Sequence, residues 1–378
     1  MITVTLRPVT DPSRVEWHVR TDHDRDHVIA YETVLGEPPA APDRADAGAI
    51  LAIARAMNFR QALHVDGPVS WSLLAGIEEW MDAWARWRPD LYEVVPITAE
   101  EVIDDRPEGA GELAGRAVVA FSGGVDGTYA AAANVSGALG RRSRTLASAV
   151  LVHGFDVPVA DVAGFEAALG SASAITDELG VPLVAVRTNW QDICLAWEME
   201  FGIALGAVLH HFTDRASAAI VADDNPYDGV HLPWGTNPVS QPWLASNRFR
   251  MVGAGGGIGR ADKCAFIGRW PSVREHVRVC WEGPEPGRNC GRCEKCIRTN
   301  LAFMAGGRGP APALGEVRVE DLRRVRVRSQ AAVPLWDDLL VNLDGLPAPL
   351  RAEVIAAARR AHDAFPELAR PVQLDAEN

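Results

Sequence analysis

Lysine is almost missing from this chain of 378 residues: only Lys263 and Lys295 are found among 37 basic residues, the other 35 being arginine. No apolar run approaches the ~20 residues a membrane-spanning helix needs. The opening MITVTLRPVT has no basic stretch followed by an apolar one. A membrane partner and a secretory leader are therefore not expected, and a cytoplasmic location is. Internal repeats and low-complexity tracts are also missing. Positive charge is in deficit, since 37 Lys and Arg against 50 Asp and Glu leave a net charge of −13. That removes any general attraction to phosphate backbones, so duplex nucleic acid is not an expected partner. With 48% hydrophobic and 23% charged residues the composition is that of a globular chain, which excludes collagen-like, coiled-coil and disordered classes.

Arginine-rich coding accounts for the scarcity of lysine. Where lysine persists against such a bias, it points to sites that need a compact ammonium. Cysteine is scarce as well, but four of the six, Cys280, Cys290, Cys293 and Cys296, lie close together, while Cys194 and Cys264 are isolated. In a cytosolic chain such clustering reads as metal binding rather than disulfides.

The length suits two or three domains. Residues 1–115 read as an N-terminal α+β accessory domain. Strands are expected at Ile2–Leu6, Val15–Val19, Leu63–Asp66 and Tyr92–Ile97, and helices at Ala47–Met57 and Ser70–Trp87. The tryptophans of the second helix, with Trp71 before them, read as core. The polar, glycine-containing stretch Asp104–Gly115 marks the boundary. From Arg116 short apolar strands alternate with helices, at Ala117–Phe121, Ala149–His153, Pro182–Val186, Ala218–Ala222 and Phe249–Val252. This implies a doubly wound, mostly parallel five-stranded α/β sheet. Helices are expected at Gly127–Leu139, Ala160–Leu179, through Trp190–Phe212, at Ile297–Met304 and over most of Val319–Leu368. Residues 306–378 form a helical C-terminal extension.

Two motifs carry chemistry. The first is FSGGVDGT, Phe121 to Thr128, between a strand and a helix. Gly123 and Gly124 allow a tight turn whose N–H groups approach an anion, and the helix N-terminus adds partial positive charge. Ser122 offers a hydroxyl, and Asp126 a carboxylate to hold Mg²⁺ or to fix the loop. The second is Cys280-x9-Cys290-x2-Cys293-x2-Cys296, whose spacing suits a closed tetrahedral zinc site, with an iron–sulfur cluster as the alternative. A third stretch, Gly253 to Arg260 (GAGGGIGR), fails the dinucleotide fingerprint because Ile258 and Arg260 stand where glycine is required. It reads as a flexible loop closing over substrate, followed by Arg260 and Lys263 on a helix as candidate phosphate ligands.

SGGVDG resembles the SGGxDS loop of the ATP-pyrophosphatase (PP-loop) superfamily, whose fold is the adenine nucleotide alpha hydrolase-like sheet. The pattern maps onto Ser122, Gly123, Gly124, Val125, Asp126 and Gly127. It departs at Gly127, which lacks the family hydroxyl, with Thr128 next to it as the replacement. The resemblance implies ATP bound with Mg²⁺ and cleaved between its α- and β-phosphates. His153 to Asp156 lies where such folds hold adenine, with His153 the residue carried over, and Gly235 and Thr236 of PWGTNP match the loop opposite the phosphates. Together with the cysteine spacing, residues 116–305 resemble 7-cyano-7-deazaguanine synthase-like proteins, including synthase-like members of antiphage gene clusters. On that resemblance residues 280–296 form a four-cysteine zinc knuckle. The implied activity is an AMP-forming carbon–nitrogen ligase: a substrate carboxylate or amide oxygen is adenylated and ammonia displaces AMP, giving an amide or nitrile. Ser122, Asp126, Thr128, Lys263 and Arg260 are the candidate catalytic residues. A homodimer or partner proteins of a gene cluster stay open. Two alternatives stay open as well: sulfur transfer through Cys194 or Cys264, with Cys194 expected to be buried and inert, and a nucleotide-binding module of a defence or biosynthetic complex that turns over weakly.

Overall fold

The computed structural model describes residues 1–22, 24–106, 111–280, 283 and 287–366. Parts of the expected boundary (107–110), of the cysteine stretch (281, 282 and 284–286) and of the helical tail (367–378) lie outside the described residues.

The chain opens with β1 (Ile2–Arg7), β2 (Arg14–Thr21) and β3 (His27–Leu35), then α1 (Asp46–Phe59), β4 (Leu63–Ser70), α2 (Trp71–Trp87) and β5 (Ile97–Ile103). β2 pairs antiparallel with both β1 and β3, while β4 joins β1 and β5 in parallel. α1 is rich in Ala, Ile and Leu and is buried from Asp46 to Met57, because it packs between the sheet and a later helix. It stops at Arg60, whose left-handed backbone (φ 55°) lets its own N–H donate to Met57 O and that of Gln61 to Ala56 O. α2 buries Leu73, Ile77, Trp80, Met81 and Trp84 at helical spacing and leaves Trp71 exposed. The strand expected at Tyr92–Ile97 forms later, over Ile97–Ile103. Tyr92 instead turns inward to pack against Trp80 and Trp84.

Next come β6 (Arg116–Ala120), α3 (Val125–Val135), β7 (Thr145–His153), α4 (Val162–Leu179), β8 (Leu183–Thr188), α5 (Trp197–Leu209), β9 (Ala218–Ala222) and β10 (Arg250–Ala254). These five strands run parallel in the order β10-β9-β6-β7-β8. Their apolar runs are nearly unbroken because both faces are covered. Val118, Val150, Val184 and Val186 face a core shared with α1, α2 and α5; Ala117, Val119, Ala149, Leu151 and Ala185 face the opposite one.

The sheet does not stop at five strands. β3, which has no counterpart among the expected strands, pairs antiparallel with β8, so one ten-stranded sheet runs β10-β9-β6-β7-β8-β3-β2-β1-β4-β5. The seam is sealed by Trp17 of β2, fully buried, whose Nε1–H donates to His211 Nε2 (3.1 Å) just beyond α5. The Tyr31 ring of β3 packs on His211 as well.

The rest of the described chain is helical: α6 (Arg260–Ile267), α7 (Pro271–His276), α8 (Glu294–Ala305), α9 (Val319–Arg324), α10 (Val333–Val341) and α11 (Ala348–Ala364). α6 packs on α3 and α8, and α10 on α6, α8 and α11, so the C-terminal region closes the α3 side of the sheet. No helix among the described residues is long and apolar enough to cross a membrane.

The seam makes stability depend on pH. Burial pushes both His210 and His211 down to about 4 from an ordinary value near 6.5. The unfolded chain therefore binds protons that the folded one refuses, and stability is lost as pH falls from 6.5 toward 4. Each histidine contributes on the order of 3 kcal/mol over that window. Urea unfolding followed by tryptophan fluorescence should show the midpoint dropping between pH 6.5 and 4, and His211→Gln should flatten that slope. An unchanged slope in the variant would contradict the assignment.

Candidate functional site

In the parallel half of the sheet β7 and β8 lie on one side of β6 and β9 on the other, so the strand order reverses between β6 and β9. Open α/β sheets hold ligands at the carboxyl ends of strands at such a reversal. A cleft of ≈ 1450 Å³ opens there, lined by the glycine loop, the ends of β6, β7 and β9, the start of α8 and the segment after α9.

Residues 121–124 turn the chain from β6 into α3. Gly123 takes φ +74°, which glycine alone adopts without strain, and its carbonyl accepts the Arg278 N–H at 3.0 Å. Gly124 lines the cleft, and a Cβ there would meet Ser122 Oγ at 3.2 Å. The two glycines thus divide the work: the first makes the turn and the second keeps the cradle open. α3 has no side-chain N-cap bond, so the N–H groups of its first turn face the cleft beside Ser122, which is exposed.

Asp126 is the hinge of the charges. Its Oδ1 accepts from Lys263 Nζ at 2.9 Å and its Oδ2 faces Arg260 Nη1 at 3.0 Å. Burial pushes its carboxyl up, but Arg260 and Lys263 outweigh that and hold it below the usual carboxylate range. Lys263 is only 1% exposed and also donates to Asp223 O at 2.6 Å. Across the reversal, Asp224 Oδ2 accepts from Trp234 Nε1 and Thr236 Oγ1, both at 2.9 Å. Burial first and the Asp126 charge second raise the Asp224 carboxyl. Thr236 lines the cleft. Gly235 instead packs under Phe201, with its N–H on Glu198 O at 2.9 Å.

Thr128 and His153, like Gly235, are not brought to the cleft. The Thr128 hydroxyl is fully buried and has no hydrogen-bond partner among the described residues, so it does not stand in for the missing serine. The His153 ring stacks on Phe165 with centroids 4.1 Å apart and pairs its Nε2 with Pro158 O at 2.9 Å. Its neighbours Phe155 and Asp156 line the cleft in its place. The expected flexible loop after β10 is closely packed: a Cβ at Gly256 would overlap the Tyr227 ring, and one at Gly259 the Asp338 carboxylate.

Asp224, Asp156, Arg278 and Arg298 line the cleft without having been singled out from the sequence. The signal for Asp224 was the pair Asp223–Asp224 directly after the fourth strand of an α/β alternation. The arginines gave none, lying outside the glycine motif in an arginine-rich chain.

Cys280, Cys290, Cys293 and Cys296 place their Sγ atoms within 4.8 Å of one another and could hold a metal ion. The Cys290–Cys296 separation is 4.0 Å, close to the edge of about 3.8 Å that a tetrahedron of 2.3 Å metal–sulfur bonds requires. Backbone N–H groups of Cys290 and Cys293 point at the sulfurs of Cys280 and Cys290 (3.1 and 3.2 Å), the arrangement that supports thiolates. Gly291 supplies the turn at φ +74°. Asn289 fixes the strands of the knuckle by accepting from Val279 N and donating to Val277 O and Ala313 O, at 2.8, 2.8 and 2.9 Å. Cys296 lies on α8, so the cluster anchors the helix whose first turn lines the cleft.

Elemental analysis of purified protein should find about one metal ion per chain. Because such a site contributes folding energy directly, Cys293→Ser should lose the metal and give insoluble or strongly destabilised protein. A soluble, equally stable and metal-free variant would contradict this. No protein-family model, curated protein or solved structure matches the chain.

Proposed function

We propose that the chain is an ATP-dependent, AMP-forming synthetase of the PP-loop kind, which activates a carboxylate or amide oxygen for attack by ammonia. The observation that carries this is the SGGVDG loop at the strand-order reversal, opening a helix N-terminus into a large cleft, with its Asp126 clamped by Lys263 and Arg260.

The residues present fit the groups this reading needs. The first-turn N–H groups of α3 and the Ser122 hydroxyl would receive the phosphates. Asp126 is already neutralised by two cations, so it fixes the loop. Asp224 keeps Oδ1 without a partner among the described residues and is the carboxylate placed to hold Mg²⁺. Mg²⁺ supplies charge neutralisation on the phosphate oxygens. Arg260 faces the same space and can follow charge developing on departing pyrophosphate. Phe155 and Trp197 form an apolar wall beside the end of β7, suited to a purine. At the cysteine cluster zinc suits the four-thiolate set.

Sulfur transfer finds no support. Burial pushes the Cys264 thiol up to about 12, and burial together with Glu200 pushes Cys194 up further still, so neither is a thiolate near neutral pH. The weak nucleotide-binding module is favoured by one observation, the sealed Thr128 hydroxyl beside Gly127.

Calorimetry with Mg·ATP and assays of AMP release with ammonium and a panel of carboxylates test the proposal. Gly124→Val should abolish ATP binding, and Ser122→Ala should slow AMP release by roughly tenfold to a hundredfold, the size of a lost hydrogen bond to a charged group. Thr128→Ala should stay within about threefold of wild type. ATP binding with no AMP release under any condition would favour the binding module, and unchanged binding in Gly124→Val would remove the loop from the site.

A further inference from the structure

The cleft is larger than one nucleotide needs. Small-molecule sites run to ~300–1,000 Å³, against the ≈ 1450 Å³ here. The surplus lies toward the knuckle and the segment after α9, and its charge is unusual for this chain. The whole chain carries −13, yet the cleft lining holds eight Arg and Lys against six Asp and Glu.

Two carboxylates of the inner half are already ion-paired, Asp126 with Arg260 and Lys263 and Glu294 with Arg298, while Asp224 has one oxygen held by Trp234 and Thr236. The cations of the outer half are not. Arg324, Arg326 and Arg328 line the cleft, are exposed, and have no hydrogen-bond or ion-pair partner among the described residues, and the same holds for Arg292 on the knuckle. The segment RVRVR from Arg324 to Arg328 explains their aim. Val325 is buried and Val327 half-buried against the core, while Arg324 at the end of α9 and Arg326 and Arg328 beyond it stay exposed on the cleft side. Arg323, by contrast, points away and pairs with Glu353 at 2.8 Å. In a chain so biased toward arginine the residue type carries no weight; the placement does. Asp321 lines the same stretch, but four guanidiniums outnumber it, and like charges gathered in excess are destabilising until an anion arrives. A phosphate monoester brings about −1.5 to −2 and consecutive phosphodiesters about −1 each, and both accept guanidinium forks.

We propose that the outer half of the cleft, at Arg292, Arg324, Arg326 and Arg328, receives a substrate that carries its own phosphate, either as a free phosphorylated small molecule or as the phosphodiester of a single-stranded oligonucleotide. Its role as substrate rests on the nucleotide reading of the inner half; the anion site itself does not.

The test uses the full-length protein saturated with Mg·ATP, so that the inner loop is occupied, and fluorescein-labelled hexauridylate followed by anisotropy at low salt and at about 0.2 M salt. Wild type should bind in a salt-dependent manner. The triple variant Arg324→Gln/Arg326→Gln/Arg328→Gln should lose at least about tenfold, with a shallower salt slope, while Arg323→Gln stays within about twofold. Displacement of the probe by uridine 5′-monophosphate would assign the site to a free phosphorylated molecule, and its failure to compete would assign it to the oligonucleotide. Equal binding by wild type and the triple variant, or no binding by wild type at low salt, overturns the proposal. ATP affinity is measured in the same variants. If wild type binds no ATP while the arginine-dependent probe binding persists, the nucleotide reading falls and the anion site stands.

Discussion

One buried ammonium organises the site. Lys263 is almost without solvent contact, and a charge so placed costs several kcal/mol unless its partners are fixed. Its partners are Asp126 on the first turn of α3 and the carbonyl of Asp223 at the end of β9. Three elements from separate parts of the sequence are thereby locked at the point where the strand order reverses. The glycines at the end of β10 and just after it follow from the same constraint. A Cβ at Gly255 would meet Lys263 Cε at 3.0 Å and Nζ at 3.2 Å, and one at Gly253 would meet Asp223 Oδ1 at 2.8 Å. The close approach of Gly255 suits a compact ammonium, which gives a physical reason for lysine to persist in a chain that otherwise uses arginine.

The C-terminal helices belong to this arrangement and are more than an appendage. Asp338 of α10 accepts the Ala261 N–H at 2.7 Å and so caps the helix that presents Arg260 and Lys263. Trp336, on the same helix, donates to Glu294 Oε1 at 2.9 Å, and Glu294 in turn holds Arg298 at 2.5 Å. α10 thus grips both α6 and the first turn of α8, while the cysteine cluster ties that same turn to the knuckle. Loosening either grip would be felt at Asp126 through the intervening pairs.

What could be read from the sequence was local. The strand-to-helix turn at Ser122–Thr128 needs only two glycines and an apolar run on either side. The cysteine cluster needs only spacing. The apolar strands from Arg116 onward announce themselves because both of their faces are buried. What was illegible depends on distant partners. β3 is interrupted by the adjacent polar pair Glu32 and Thr33, and only its pairing with β8 makes it the join between the two halves of the sheet. Tyr92 was read into a strand because its burial against Trp80 and Trp84 cannot be seen from its neighbours in sequence. The glycines of 253–259 read as slack because nothing nearby in sequence shows that Tyr227, Lys263 and Asp338 press against them. Thr128 read as a hydroxyl donor from adjacency alone, but one residue along a helix is a rotation of about 100°, which turns it from the cleft into the core.

The glycine at position 127, where the sequence departs from the pattern it resembles, has a structural setting of its own. Gly127 sits where the end of β6 approaches the first turn of α3, and a Cβ there would come within 3.2 Å of Ala120 O and 3.6 Å of Phe121 Cα. The first of these contacts is tighter than side chains ordinarily make, so a side chain here would require the end of β6 to give by a few tenths of an ångström. Ser122 keeps an exposed hydroxyl on the rim of the same turn. Backbone donors aimed at developing charge need no side chain to act, and they cost no reorganisation when they do. The ion pairs of Asp126 with Arg260 and Lys263 fix the turn that presents those donors.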